Sequence, residues 1–250
     1  MAIKLWQDSY RMVVMSGHDR PSTNRKTGPM AQTWIMPLAS SPTEAVKTGK
    51  DALVCGDCPL RGDGAGGERL CYLNLGKGPN GIYRSVVDKD VEDLPNHPFG
   101  VRLGAWGDPV YLPRTLLKKV VKGKSHVGYT HQWMKKSAQW LRPYCMASVD
   151  DLMAKKVGMN VKDLARHAWG MGWRTFRITH APGENWDKKE VDCPHLTHGV
   201  QCKDCGLCKG ASEALSISNP IHGRGAKWYP YQATAIGNTS TKPASSTTTG

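Results

Sequence analysis

Short apolar runs alternate along this chain with stretches in which apolar residues recur every three or four positions. The first rhythm suits strands and the second suits helices. Met30 to Pro37 reads as a strand, Ser40 to Lys50 as a short helix or loop, and Asn80 to Asp88 as a short helix. From Phe99 onward the alternation is regular. The strand Phe99 to Trp106 ends in Gly107-Asp108-Pro109, and Pro113 opens a helix, Arg114 to Lys122, where its missing N–H costs little. His126 to Thr130 is the next strand, Trp133 to Leu141 a helix, and Tyr144 to Val149 a strand. Asp150 is placed to cap the helix that begins at Asp151. A helix over Val161 to Trp169 precedes the strand Trp173 to Thr179, and Ala214 to Ser218 is the last strand.

Six strands with helical segments between most of them predict a parallel sheet in an α/β protein. No glycine-rich dinucleotide fingerprint follows the first strand, which favours a partial (βα)6 barrel-like sheet over an open doubly wound one. The polar, turn-rich segment Ser16 to Gly28 closes an N-terminal extension over 1–28. The α/β unit then covers 29–230, and 231–250, rich in Thr and Ser, reads as a disordered tail.

A chain of 250 residues buries enough surface to fold without disulfides. Lys4, Gln7, Asp8 and Arg11 interrupt the start, so no secretory apolar region forms there. No stretch approaches the roughly 18 apolar residues of a membrane helix. These features predict a cytoplasmic protein with no membrane partner. In a reducing compartment, paired cysteines read as metal ligands or catalytic thiols. The net charge of +13 is concentrated between Pro109 and Lys189, where 16 Lys or Arg face 5 Asp or Glu. Such a surplus suits a polyanion, with nucleic acid the expected partner and Lys118, Lys119, Lys122, Lys135 and Lys136 the candidate contacts. A solvated basic surface that only keeps the protein soluble is the plainer account.

Seven of the eight cysteines fall into two groups. Cys55-Gly-Asp-Cys58-Pro is followed by Cys71 across the glycine-rich loop Arg61 to Gly67. Two cysteines three apart can grip one metal from a tight turn, and the loop lets a third join them. Three ligands leave a fourth position, open for a small molecule or filled by a histidine such as His97. The second group is Cys193-Pro, then Cys202-Lys-Asp-Cys205-Gly-Leu-Cys208. The C-x2-C-x2-C run is typical of ferredoxin-type iron–sulfur ligation, where a Cys-Pro pair also belongs to the pattern; here that pair precedes the run. Four thiolates equally suit a closed zinc site. Cys145, alone in a strand, reads as a small buried apolar residue.

Chemistry in parallel sheets gathers at the carboxyl ends of the strands. The predicted ends carry Asp108, His131, Ser148, Asp150, His180 and His222, a polar set that reads as the functional edge.

Several of these segments resemble a phage protein family. They include Lys26-Thr27-Gly28-Pro29-Met30, Val54-Cys55-Gly56-Asp57-Cys58-Pro59, Cys71-Tyr72 and Arg102-Leu103-Gly104-Ala105-Trp106-Gly107-Asp108-Pro109. Gly128-Tyr129-Thr130-His131-Gln132-Trp133, Gly172-Trp173-Arg174-Thr175-Phe176-Arg177 and the Cys202–Cys208 run extend the likeness from about Asn24 to Gly223. The chain resembles the gene-product-88 family of mycobacteriophage type, which implies a place in the host cell cytoplasm and no particular mechanism. It is more loosely similar to radical SAM enzymes, which have a six-unit partial barrel, three cysteines after the first strand and often a four-cysteine auxiliary cluster. That similarity implies an iron–sulfur cluster (4Fe–4S) on Cys55, Cys58 and Cys71, with S-adenosylmethionine as cofactor and Gly107-Asp108-Pro109 in place of the family's Gly-Glu-Pro turn. The spacing here is C-x2-C-x12-C, whereas that family's is C-x3-C-x2-C.

Three readings stand side by side. The first is a radical-SAM-like iron–sulfur enzyme acting on nucleic acid or nucleotides. The second is a zinc-stabilised nucleic-acid-binding protein without catalysis. The third is a metal-dependent hydrolase or nuclease using Asp108, His131, Asp150, His180 and His222.

Overall fold

A computed structural model of the chain describes residues 1–62, 69–186 and 188–221. Most of the loop over 61–67, His222 and the tail over 231–250 lie outside the described residues. In chain order the structure begins with strands β1 (Ala2–Gln7), β2 (Arg11–Ser16) and β3 (Ala31–Pro37), then helices α1 (Pro42–Lys47), α2 (Ala52–Cys55) and α3 (Pro79–Val86). Strand β4 (Val101–Trp106), helix α4 (Arg114–Val121) and strands β5 (His126–Val127), β6 (Tyr129–Thr130) and β7 (Met146–Val149) follow. Helices α5 (Asp151–Lys156) and α6 (Val161–Gly170) lead to β8 (Thr175–Thr179) and β9 (Glu190–Asp192). The short helices α7 (Pro194–His198) and α8 (Cys202–Cys205) precede β10 (Ser216–Pro220).

The protein is mixed α/β. One sheet runs β1-β2-β3-β4-β5 and the other β6-β7-β8-β10-β9. Strands β1 to β3 pair antiparallel; β3, β4 and β5 pair parallel, as does every neighbour in the second sheet. The six expected strands are all present and stand in sequence order, and among the described residues no pairing closes them into a ring. The strand expected at His126 to Thr130 is shared between the sheets, with β5 on β4 and β6 on β7. Gly128 makes the break. Its N–H leaves the ladder to donate to the Cys208 carbonyl at 3.0 Å. A Cβ there would meet Cys145 Sγ at 2.7 Å. Cys145 itself is fully buried in the core, as a small apolar residue should be.

Three local expectations change. Residues 2–16, expected within an extension, form a hairpin that widens the first sheet, and Met12, Val13, Val14 and Met15 are wholly buried. Lys136–Leu141 is a 3-10 helix, and the N-terminal part of the expected helix is turns. Strand β9 was not anticipated.

Helices cover one face of the second sheet. Leu164, Ala165 and Ala168 of α6, spaced three and four apart, pack with Ala147, Val149 and Trp173 in the main core. Leu164 and Val149, fully buried, each contribute about 1.5–3 kcal/mol relative to leaving the side chain in water, and the alanines less. The opposite face carries Tyr129, Met146, Phe176, Ile217 and Val191, and the segment bearing Cys193, Cys202 and Cys208 packs onto it. The second cysteine group therefore takes the place that helices occupy on the other side.

Candidate functional site

The turn after β3 brings the first cysteine group to the carboxyl ends of the parallel strands. Helix α2 starts at Asp51, whose carboxylate pairs with Arg61 at 3.0 Å, and the Cys55 N–H donates to the Asp51 carbonyl at 2.8 Å. Gly56 then turns with a φ of 57°, pressed so close to the Gln132 side chain and Tyr111 Oη that a Cβ would sit 2.7–2.8 Å from them. Gln132 closes this contact from β6: its Nε2 donates to the Cys55 carbonyl at 3.2 Å and its Oε1 accepts from Asp57 N at 3.4 Å. Lys135 pairs with the Asp57 carboxylate at 2.7 Å, and Lys156 Nζ donates to the Asp57 carbonyl at 3.1 Å. Cys71 is held by its N–H to the Leu60 carbonyl at 2.8 Å, while Arg69 Nη1 donates to the carbonyls of Cys71 and Leu73, each at 3.0 Å.

Asp108 ties the neighbouring strand end to the cysteine turn. Its N–H donates to the Val54 carbonyl at 2.7 Å. Its Oδ1 accepts from Thr130 Oγ1 at 2.8 Å and Val110 N at 3.0 Å, and its Oδ2 accepts from His131 N at 2.9 Å. Gly107 just before it has a φ of 81°, and a Cβ there would lie 2.6 Å from the Ile35 carbonyl oxygen, so only glycine lets β4 end this close to β3. Burial raises the Asp108 carboxyl above its ordinary range, and these hydrogen bonds and His131 partly offset it.

His131 is the centre of the arrangement. Its Nε2 lies 2.9 Å from Asp150 Oδ2, and the Cys58 thiol stands near enough to act on the charge of its ring. Burial opposes a charge on this imidazole, but the Cys58 and Asp150 charges and hydrogen bonds outweigh it and push the pKa well above the usual value. Asp150 uses its other oxygen to cap α5, accepting from Met153 N at 2.8 Å, as expected of that position. Burial, then the neighbouring thiols Cys58 and Cys71, hold Cys55 well above a normal thiol pKa; burial likewise raises Cys71. All three first-group cysteines nonetheless keep partial solvent access.

The second group gathers on the opposite face of the sheet from the helices. Cys193, Cys202 and Cys208 are buried and Cys205 is half-buried. Burial pushes Cys208 up to about 12, a hydrogen bond with Tyr129 moderates this, and Cys202, Cys193 and Cys205 add to it. Cys208 thus lies within the field of the other three, and Cys202 within that of Cys193 and Cys205. Cations surround them: Lys26 and Arg102 act on Cys202, and the thiols of Cys208 and Cys205 act on Arg174. Lys26 is held by Asn219 Oδ1 at 3.0 Å and Arg174 by the carbonyls of Lys209 and Gly210 at 2.9 and 3.3 Å. Among the described residues, no three His, Cys, Asp or Glu side chains stand in metal-binding geometry as they are placed.

The remaining candidates are spread out. Ser148 is buried and pairs with Phe176, so it faces the second cysteine group, and its carbonyl accepts from Trp133 Nε1 at 2.9 Å. His180 lies one strand over, its N–H on Glu184 Oε2 at 3.3 Å, and its charge acts on Asp151. Asp151 is raised to about 6 by burial and by Asp150, against the pull of His180 and Arg177. His97 stacks beside Phe99 near Lys124 and His18, away from the first cysteine group, so His131 is the histidine that meets those thiols. Lys118, Lys119 and Lys122 are exposed on or just after α4, and so is Lys136 after β6. Lys135, also exposed, pairs with Asp57 at the rim of the cysteine turn. Thr130 and Gln132 stand at the same predicted strand end as His131, whereas nothing in the local sequence points to Arg69 or Arg102.

No protein-family model, curated protein or solved structure matches this chain. No helix among the described residues is long and apolar enough to cross a membrane.

Proposed function

We propose that this chain is a two-centre iron–sulfur protein of radical-SAM-like, partial-barrel type, a phage gene-product-88 relative that acts on nucleic acid or nucleotides in the host cytoplasm. Cys55, Cys58 and Cys71 hold the reactive centre, and Cys193, Cys202, Cys205 and Cys208 hold an auxiliary one. The observation that carries the reading is the meeting of Cys58 with His131 and Asp150 at the carboxyl ends of sequential parallel strands. The donor types fit: three half-buried thiols keep solvent access, and four more lie among Lys26, Arg102 and Arg174. When bound, a cluster with one iron free of cysteine supplies electrons and a site that takes S-adenosylmethionine. The chain's own part is positional. Asp108 holds the Thr130–His131 turn, Asp150 orients the imidazole, and the imidazole's positive charge faces the cysteine turn.

Asp108 has both oxygens engaged by the chain and Asp150 serves a helix cap and a histidine, which disfavours the hydrolase reading that needs them as hard-metal ligands. A zinc site has a specific observation in its favour, since His131 at Cys58 offers the fourth ligand of a Cys3His centre. Anaerobic purification, absorption spectroscopy and metal analysis of wild type and His131→Gln decide between them. The iron–sulfur reading expects brown protein with iron and sulfide in both chains, and a spectrum of the reduced wild type that S-adenosylmethionine perturbs. Colourless protein carrying zinc, with one equivalent lost in His131→Gln, would replace it by the zinc reading.

A further inference from the structure

Arg102 in β4 stands opposite Val127 of β5. Residues facing each other across neighbouring strands share one face of the sheet. Val127 belongs to the cluster that contains Cys193, Cys202 and Cys208, so Arg102 points to the face that the second cysteine group covers. There its charge acts on Cys202 and on Tyr129, which packs in the same cluster as Cys208. Its Nη2 also donates a hydrogen bond to the hydroxyl of Tyr72, the neighbour of Cys71. Among the described residues this is the one hydrogen bond of the Arg102 side chain. A single cation thus acts on the second cysteine group and also holds the side chain of the residue next to Cys71.

The geometry points to Arg102 as a strut that couples the two cysteine groups, so that metal held by one strengthens metal binding by the other. This rests on reading both groups as metal centres. Four thiolates around a divalent ion carry a net charge of about −2. That charge holds the guanidinium on this face of the sheet, the guanidinium holds the Tyr72 hydroxyl, and Tyr72 fixes the segment that offers Cys71. Emptying the second centre removes the attraction at one end and loosens Cys71 at the other. By linkage the effect is reciprocal.

The test is a cobalt(II) titration of the full chain after chelation, read by thiolate charge-transfer absorption, with Cys58→Ser and Cys205→Ser assigning the two transitions. Cys205→Ser is expected to weaken cobalt binding by the first group about tenfold, a usual size for coupling between sites. Tyr72→Phe keeps all seven thiols and removes only the hydroxyl that Arg102 engages. It is expected to weaken the first group by a similar factor, and to add nothing when combined with Cys205→Ser. Equal first-group affinity in wild type and Tyr72→Phe would overturn the coupling while leaving the metal centres intact. No cobalt–thiolate absorption in the wild type would overturn the metal reading, and the coupling with it.

Discussion

Replacing Asp150 by alanine removes a carboxylate that serves two partners at once, and the structure lets the loss be divided. Oδ1 accepts from Met153 N at 2.8 Å and caps α5; Oδ2 lies 2.9 Å from His131 Nε2. The Asp150 side chain is wholly buried and that of His131 is 13% exposed, so water cannot replace either bond fully. A lost cap costs about 1 kcal/mol. A hydrogen bond to a charged partner contributes roughly 1.5–3 kcal/mol. Asp150→Ala should therefore lower unfolding free energy by about 3 kcal/mol. Asn160→Ala calibrates the first part: Asn160 caps α6 through Asp163 N at 2.8 Å and has no histidine, so it should cost about 1 kcal/mol. Asp150→Asn keeps the cap and loses the charge, and should fall between them. Because His131 is raised, the contribution of its ion pair is complete below about pH 6.5 and is lost as pH rises through the folded pKa. The assay is urea unfolding of chelator-treated protein at pH 6 and at high pH. A loss for Asp150→Ala no larger than for Asn160→Ala at pH 6 would refute the reasoning, since the His131 contact would then contribute nothing.

Asp151 gives a second pH signature. Its pKa of about 6 lies above the unfolded value, so its share of stability is present below about pH 4 and lost as pH rises through 6, roughly 2–3 kcal/mol that Asp151→Asn should abolish in a stability–pH profile. Gly128→Ala should destabilise the chain by about 1–3 kcal/mol through overpacking against Cys145 Sγ, and Cys145→Ala in the same chain should recover part of it in thermal melts. If the exposed lysines after Pro113 meet a nucleic-acid backbone, replacing Lys118, Lys119 and Lys122 by Gln should weaken binding to all sequences alike. The salt slope should then fall by about 3 in filter-binding or anisotropy titrations.

The sequence by itself determined the six strands in parallel order, the capping of α5 by Asp150 and the two cysteine groups, because each rests on local spacing. Strand rhythm, a carboxylate before a helix and C-x2-C turns are written within a few residues of one another. The first hairpin was hidden by Lys4 in a strand, and only the tertiary structure makes it acceptable: Lys4 Nζ reaches Gln7 Oε1 at 2.9 Å and the Val87 carbonyl at 3.0 Å. Strand β9 was hidden in the same way by Glu190, a buried acid whose partner, Arg177, lies 13 residues away at 2.7 Å. The site divides along the same line. That Asp108 and His131 would stand at strand ends was legible. That His131 rather than His97 meets Cys58, that Gln132 clasps the cysteine turn, and that Arg102 lies between the two groups was decided by which strands pair and which face each residue takes. Those outcomes depend on contacts between residues dozens of positions apart, and local spacing carries no record of them.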